Sequence, residues 1–206
     1  LFALSTVQAY IKGGIYQKAL IVGAETMSKM IDWSDRSTCV LFGDGAGAAV
    51  VSAEETGVLE LVQKSNGAGK GVLSCKARET RNLLNHESET KEYLYMEGQP
   101  VFKFAVKTVP ECVEEVLKKA EVKKEEIRYY ILHQANSRII QSVAKRLKEP
   151  EEKFPMNLSL YGNTSAASIP ILLDEMNRNG MLNRGDKLVL SGFGAGLTWG
   201  AVLLEW

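Results

Sequence analysis

Excess charge of either sign is missing from this sequence. Across 206 residues, 25 Lys and Arg stand against 25 Asp and Glu. Overall attraction to nucleic acid or to an anionic membrane is thereby excluded, and electrostatic recognition is left to local patches. Cysteine is scarce as well. Cys39, Cys75 and Cys112 are scattered without C-x-x-C spacing, which argues against a zinc ribbon or a disulfide framework and fits a reducing, cytoplasmic setting. No stretch reaches the roughly 18 consecutive apolar residues of a membrane span, so neither nucleic acid nor a membrane is an expected partner. A conventional start is lacking too: Leu1 opens directly into an apolar helical pattern (Leu1, Leu4, Val7, Ile11) with no Met, capping residue or basic segment ahead of it. That start reads as a chain cut inside a helix. What is present is ordinary for a globular protein, 45% hydrophobic and 24% charged residues. The length allows one compact domain or parts of two.

Periodicity gives an alternating pattern. Residues 1–12 read as a helix stopped by Gly13-Gly14, and 19–24 (ALIVGA) as a short buried strand. After a polar loop with Trp33, Asp35 and Arg36, residues 38–52 read as two strands broken by the turn FGDGAGA. A strand over 57–63, a long polar loop over 64–92 and a helix over 100–120, tolerating Pro110, come next. Residues 127–132, 187–190 and 198–204 read as strands, and 137–147 and 164–179 as helices, the last ended by Gly180. Strands alternating with helices predict an α/β protein with a largely parallel sheet. The segment FGDGAGAAVV also echoes GFGAGLTWGAVLL; aligning the GAG triplets at 45–47 and 194–196 gives an offset of 149 residues. That interval is too long for a solenoid and suits a duplicated half-domain whose first copy is truncated.

Three strings carry chemistry. In ILHQANSRII (131–140) an apolar strand ends in His133, and a helix begins just beyond, with Asn136 or Ser137 to cap it. Ligand and catalytic groups favour that position in open α/β sheets; a lone histidine is equally at home in a satisfied core. In YGNTSAASIPILLDE (161–175), Gly162 permits close backbone approach, and Asn163 stands near a helix start, as a cap or as a functional amide. The third string, SGFGAGLTWG (191–200), has glycines at 192, 194 and 196. These miss the G-x-G-x-x-G spacing, and a strand follows instead of a helix, so a dinucleotide site is rejected. A tight turn aiming backbone N–H groups at a reacting carbonyl fits better. By the same reasoning Asp44 is a turn residue and not a metal ligand. His86 (in NLLNHESET) reads as a loop residue without function.

In this order the strings resemble β-ketoacyl-acyl-carrier-protein synthase III, the initiating condensing enzymes of the thiolase superfamily. The resemblance runs along essentially the whole chain, through IVGAETMSKMIDWSDRSTCVLFGDGAGAAV, HQANSRI, YGNTSAAS and FGAGLTWGAV. It implies a thiolase-like fold, layered α/β/α/β/α with mixed five-stranded sheets. Residues 1–53 would be the end of the first half and 54–206 the whole second half. The implied activity is decarboxylative Claisen condensation of an acyl-CoA primer with malonyl-acyl-carrier protein, initiating fatty acid synthesis. Acyl-CoA and malonyl-acyl-carrier protein are substrates, with no cofactor or metal. His133 and Asn163 would be the catalytic hydrogen-bond donors. Asn in that position matches the initiating and chalcone-synthase-like enzymes, whereas elongating synthases use a second His.

The same resemblance implies an acyl carrier protein docked on Gln134, Ala135, Asn136, Ser137 and Arg138 with Lys103, Lys145 and Arg146, residues that otherwise read as solvated helix faces. It implies CoA and substrate contacts at Arg36, Phe42, Gly98, Gln99, Phe102, Phe193 and Ala195. Gln99 departs from the Asn often found there, and Phe42 reads equally as core packing. Met27 and Leu94 are candidates for shaping a primer pocket. The acylated Cys of such enzymes, in a C-x-G-F-type motif, would fall about four residues ahead of Leu1 by the family's spacing, and none of the three cysteines present replaces it. A homodimer is implied too. The rivals are a chalcone-synthase-like polyketide synthase, a hydroxymethylglutaryl-CoA synthase relative, and a non-catalytic module binding CoA or a carrier protein.

Overall fold

Gly13 and Gly14 do end the first helix, α1 (Phe2–Lys12), and the chain then enters β1 (Lys18–Glu25). The computed structural model describes residues 1–75 and 93–206; His86 lies outside the described residues. β2 (Gly45–Ser52) pairs antiparallel with β1. The strand expected ahead of it does not form. Residues 38–41 are instead turns, because Thr38 folds back on Asp35, its hydroxyl donating to the carboxylate at 2.8 Å. β3 (Val58–Ser65), β4 (Leu73–Cys75) and β5 (Leu94–Met96) follow, the last two pairing with each other.

Helix α2 (Gly98–Lys119) runs through Pro110. A proline there offers no N–H to the carbonyl four residues earlier. That carbonyl, of Val106, accepts from Arg146 Nη1 at 2.9 Å instead. Beyond α2 come β6 (Ile127–Leu132), α3 (Ser137–Leu147), the short α4 (Leu158–Tyr161), α5 (Ser168–Arg178), β7 (Lys187–Gly194) and β8 (Thr198–Glu205). Asn136 caps α3, its side-chain oxygen accepting from Arg138 N at 2.8 Å.

Among the described residues the main sheet has the order β3-β8-β7-β6. Only β6–β7 is parallel; β7 and β8 are joined by a three-residue turn, which can connect only antiparallel neighbours. The sheet is therefore mixed and not largely parallel. It counts four strands where five were expected, since β4 and β5 pair apart from it. One face packs on α2 and α3 through a core that includes Val113, Val116, Ile140 and Val143. The other packs on α5 through Ile131, Leu172, Met176 and Leu190. α5 also covers the β1–β2 hairpin, and α1 touches both β1 and β3. The described layers are thus α, β, α, β, the thiolase-like order.

The two hairpins match each other closely. β1–β2 holds the cross-strand pair Gly23↔Gly47, and β7–β8 holds Gly192↔Gly200. Gly47 therefore corresponds to Gly200, not to Gly196 as the triplet alignment predicts. A Cβ on Gly47 would stand 2.9 Å from the Pro170 ring of α5, and one on Gly23 2.8 Å from Ala166 O. Glycine at these positions is what lets α5 lie directly on the hairpin.

Candidate active site

His133 is the first residue past β6, and its N–H donates to Ser191 O at 2.8 Å, extending the ladder with β7 by one step. Its carbonyl then accepts from Ala135 N at 2.9 Å, a tight turn that ends the strand. Nδ1 lies 2.6 Å from Ser168 Oγ at the start of α5, and the ring meets Phe193 edge-on with centroids 5.6 Å apart. Burial pushes the imidazole pKa down to about 4. Near neutral pH the ring is uncharged, with one nitrogen a donor and the other an acceptor. The depressed pKa fixes the sign of a pH effect on folding. Between the ordinary value of 6.5 and about 4 the unfolded chain binds the proton and the folded one does not. Stability contributed by neutral His133 is complete above 6.5, falls as the pH drops, and levels near 4. Urea titrations of wild type and His133→Gln across that range should converge in slope only if His133 titrates normally.

Asn163 is placed by two glycines. Its N–H donates to Leu41 O at 2.8 Å and its carbonyl accepts from Gly43 N at 2.9 Å, making a bridge across Phe42. A Cβ on Gly43 would lie 2.0 Å from Tyr161 O. Gly162 has φ +66°, and a Cβ there would stand 3.0 Å from Leu41 O. Asn163 Oδ1 accepts from Ser165 N at 2.9 Å, so its amide N–H groups are the end left to donate.

Both side chains line one cavity of about 710 Å³, walled mainly by apolar groups such as Met27, Leu41, Leu94, Met96 and Ile169. Phe42, Phe193 and Ala195 line it too, as do Gly98 and Phe102. A second cleft of about 460 Å³ adjoins it, bounded by Gly98, Gln99, Phe102, Lys103, Asn136 and Arg138. The N-terminal ends of α2 and α3 thus carry expected CoA contacts and expected carrier-protein contacts into one basic cleft. Ser137 is exposed beside it, and Ala135 lines the larger cavity. Other expectations fall elsewhere. Arg36 sits on an exposed turn and lines neither cavity. Lys145 and Arg146 stand on the last turn of α3, and Arg146 is occupied with the Val106 carbonyl.

Gln134 requires a correction. It is 1% exposed, so it offers no surface to a docking protein. Its Nε2 donates to Leu132 O at 2.8 Å, and its Oε1 accepts from Asn157 N at 3.2 Å. Asn157 Nδ2 in turn donates to Glu175 at 2.8 Å, and the Tyr161 hydroxyl donates to the same carboxylate. The segment bearing His133 and the segment leading to Asn163 are therefore braced to each other and to α5. Sequence reasoning missed Ser168, Asn157, Tyr161 and Glu175. A polar residue two positions past a largely buried strand was the available signal for Gln134; Asn157 lies too far along the chain to be paired by pattern.

The three cysteines stand in different surroundings. Cys112 is buried in α2, and burial pushes its thiol up to about 11, away from the thiolate a nucleophile needs. Cys39 is half-buried within the turns, while Cys75, expected in a loop, ends β4 and lines the larger cavity. Asp44 is not in the expected turn: it stands directly ahead of β2, which takes in Gly45 to Gly47, and accepts from Ser28 N at 2.7 Å and Ser28 Oγ at 2.5 Å.

Comparison with known proteins places this architecture. Residues 1–67 match the family profile for 3-oxoacyl-(acyl-carrier-protein, ACP) synthase III, and residues 117–206 match the profile of its C-terminal part. The chain belongs to the 3-oxoacyl-ACP synthase III family. Its relatives include the β-ketoacyl-acyl-carrier-protein synthase III of Clostridium novyi, 50% identical over all of this chain and 64% of that protein. The chain therefore spans somewhat less than two thirds of the length of the curated relatives it matches. Among solved structures, 3-oxoacyl-acyl-carrier-protein synthase III from Aquifex aeolicus superposes with a TM-score of 0.91 at 43% identity, covering 100% of this chain and 63% of that one. The enzyme from Pseudomonas aeruginosa gives 0.91 at 39% identity, with 100% and 63% covered. Within the synthase III matches, Phe42 falls in the first stretch and His133 and Asn163 fall in the second. The α2 side of the basic cleft falls between them.

Proposed function

We propose that this chain carries the decarboxylating half of a β-ketoacyl-acyl-carrier-protein synthase III, which condenses an acyl-CoA primer with malonyl-acyl-carrier protein to initiate fatty acid synthesis. One observation carries the reading: a neutral His133 and an amide of Asn163 with its oxygen already engaged meet at one apolar cavity. When the malonyl carboxylate leaves as carbon dioxide, its bonding pair moves to the α-carbon and negative charge develops on the thioester oxygen. Two fixed N–H donors stabilise that charge without losing a proton. The enolate then attacks an acyl thioester carbonyl; a carbon–carbon bond forms and the thiolate departs. The chemistry asks for no cofactor. Release of carbon dioxide from malonyl-acyl-carrier protein by the full-length product tests the proposal directly, and failure to decarboxylate under any primer sinks it.

Lys103 and Arg138, on the cleft next to this cavity, support docking of an acidic, phosphate-bearing carrier protein. Arg138→Glu should raise KM for the carrier protein by about an order of magnitude, more at low salt, with little change for acyl-CoA. Steady-state kinetics with each substrate varied in turn would check this, and equal effects on both would count against the docking face. A cytoplasmic homodimer belongs to the same reading.

A further inference from the structure

Ser168 has no part in the chemistry described so far, yet it is 2% exposed and its hydroxyl is the group nearest His133 Nδ1. Three facts fix what that hydroxyl does. Its oxygen already accepts from Gln134 N at 3.3 Å. Its distance to Nδ1, 2.6 Å, is that of a well-made hydrogen bond. Among the described residues, these two are the only partners recorded for Ser168 Oγ. If Nδ1 carried the ring proton, the serine oxygen would receive two N–H donors and its own proton would have no acceptor in a buried position. Buried donors are seldom left so. If the serine donates to Nδ1, every group is satisfied and the ring proton sits on Nε2.

We infer that Ser168 is a positioning residue that holds His133 in the Nε2–H tautomer, so that the free edge of the imidazole presents a donor to the cavity. The inference deepens the proposed function and rests on it for its consequence, since only an Nε2–H can serve a developing thioester oxygen. The tautomer itself is independent of any activity. The hydroxyl is well suited to the task because its own place is fixed by the first turn of α5, which is pressed between the main sheet and the glycines of the β1–β2 hairpin. A tautomer imposed in this way is a second-neighbour effect of the kind that orients histidines elsewhere.

Nitrogen NMR of the full-length product, with the His133 signals assigned through His133→Gln, reads the tautomer directly. The expected result is an acceptor-type Nδ1 and a protonated Nε2 near neutral pH. In Ser168→Ala the population should move toward Nδ1–H, and carbon dioxide release from the malonyl thioester should fall by about tenfold or more while acyl transfer from acyl-CoA is unchanged. Ser168→Thr keeps the hydroxyl and should keep the tautomer. A wild-type spectrum with Nδ1 protonated overturns the inference whether or not either variant folds, and so does an unchanged tautomer in folded Ser168→Ala. A wild-type Nε2–H in a protein that cannot decarboxylate overturns the proposed function and leaves the tautomer assignment standing.

Discussion

Alanine at His133 or at Asn163 should cost about 10²–10³-fold in the decarboxylation rate of malonyl-acyl-carrier protein, the loss typical of deleting one oxyanion donor. The two substitutions should be far from additive, because in the proposed mechanism both groups address a single oxygen. Acyl transfer from acyl-CoA should survive either change, since that step develops its charge on another carbonyl. The pH profile reports on the depressed pKa. A His133 with an ordinary pKa would become charged as the pH falls through 6.5, whereas the buried ring stays uncharged down to about 4. Carbon dioxide release measured from pH 7 to 4.5 on wild type, His133→Ala and Asn163→Ala should therefore show no His133-dependent inflection, and one near 6.5 that His133→Ala removes would count against the neutral ring. Asn163→Asp is the sharper variant at this position. It retains the acceptor bonded to Ser165 N and replaces the donor by a second, negatively charged oxygen facing the enolate.

Gln134→Glu should destabilise the fold by several kcal/mol, on the scale of a buried charge without a counterion. The change is nearly isosteric, so packing does not account for the loss. Gln134 Nε2 donates to the carbonyl of Leu132, and a carboxylate oxygen in its place would face that carbonyl with like partial charge. Asn157 N would still find an acceptor. The sign with pH follows from the same picture. A buried Glu has a raised pKa, so the variant should approach wild-type stability as the pH falls below that pKa and lose it as the pH rises. Urea unfolding at pH 5 and pH 8 measures this difference. Were Gln134 a docking residue, stability would be unchanged and only the KM for carrier protein would respond.

Much of this site was legible before any coordinates. His133 at a strand end, Gly162 before Asn163 and the failed dinucleotide spacing are local patterns, set by what the backbone requires at those points. The α3 cap at Asn136 and the passage of α2 through Pro110 are of the same kind. What stayed hidden depends on distant partners. Gln134 resembles its exposed neighbours in sequence, and only the arrival of Asn157 makes it internal. Arg146 reads as a surface cation until the orphaned carbonyl of Val106 is placed beside it. Residues 38–41 have a strand-like composition, but Asp35 offers a local acceptor to Thr38, and turn hydrogen bonds outcompete a ladder. The largely parallel sheet was an inference from alternation alone. It failed at β7–β8, where the short glycine turn overrules the pattern.

Ser168 and Glu175 are seven residues apart on α5, which brings them to the same face two turns, about 10 Å, apart. One touches the imidazole and the other holds the loop that delivers Asn163. The gauge between the imidazole and the amide is accordingly marked off along one rigid rod, with the backbone bridge to Leu41 and Gly43 setting the far end.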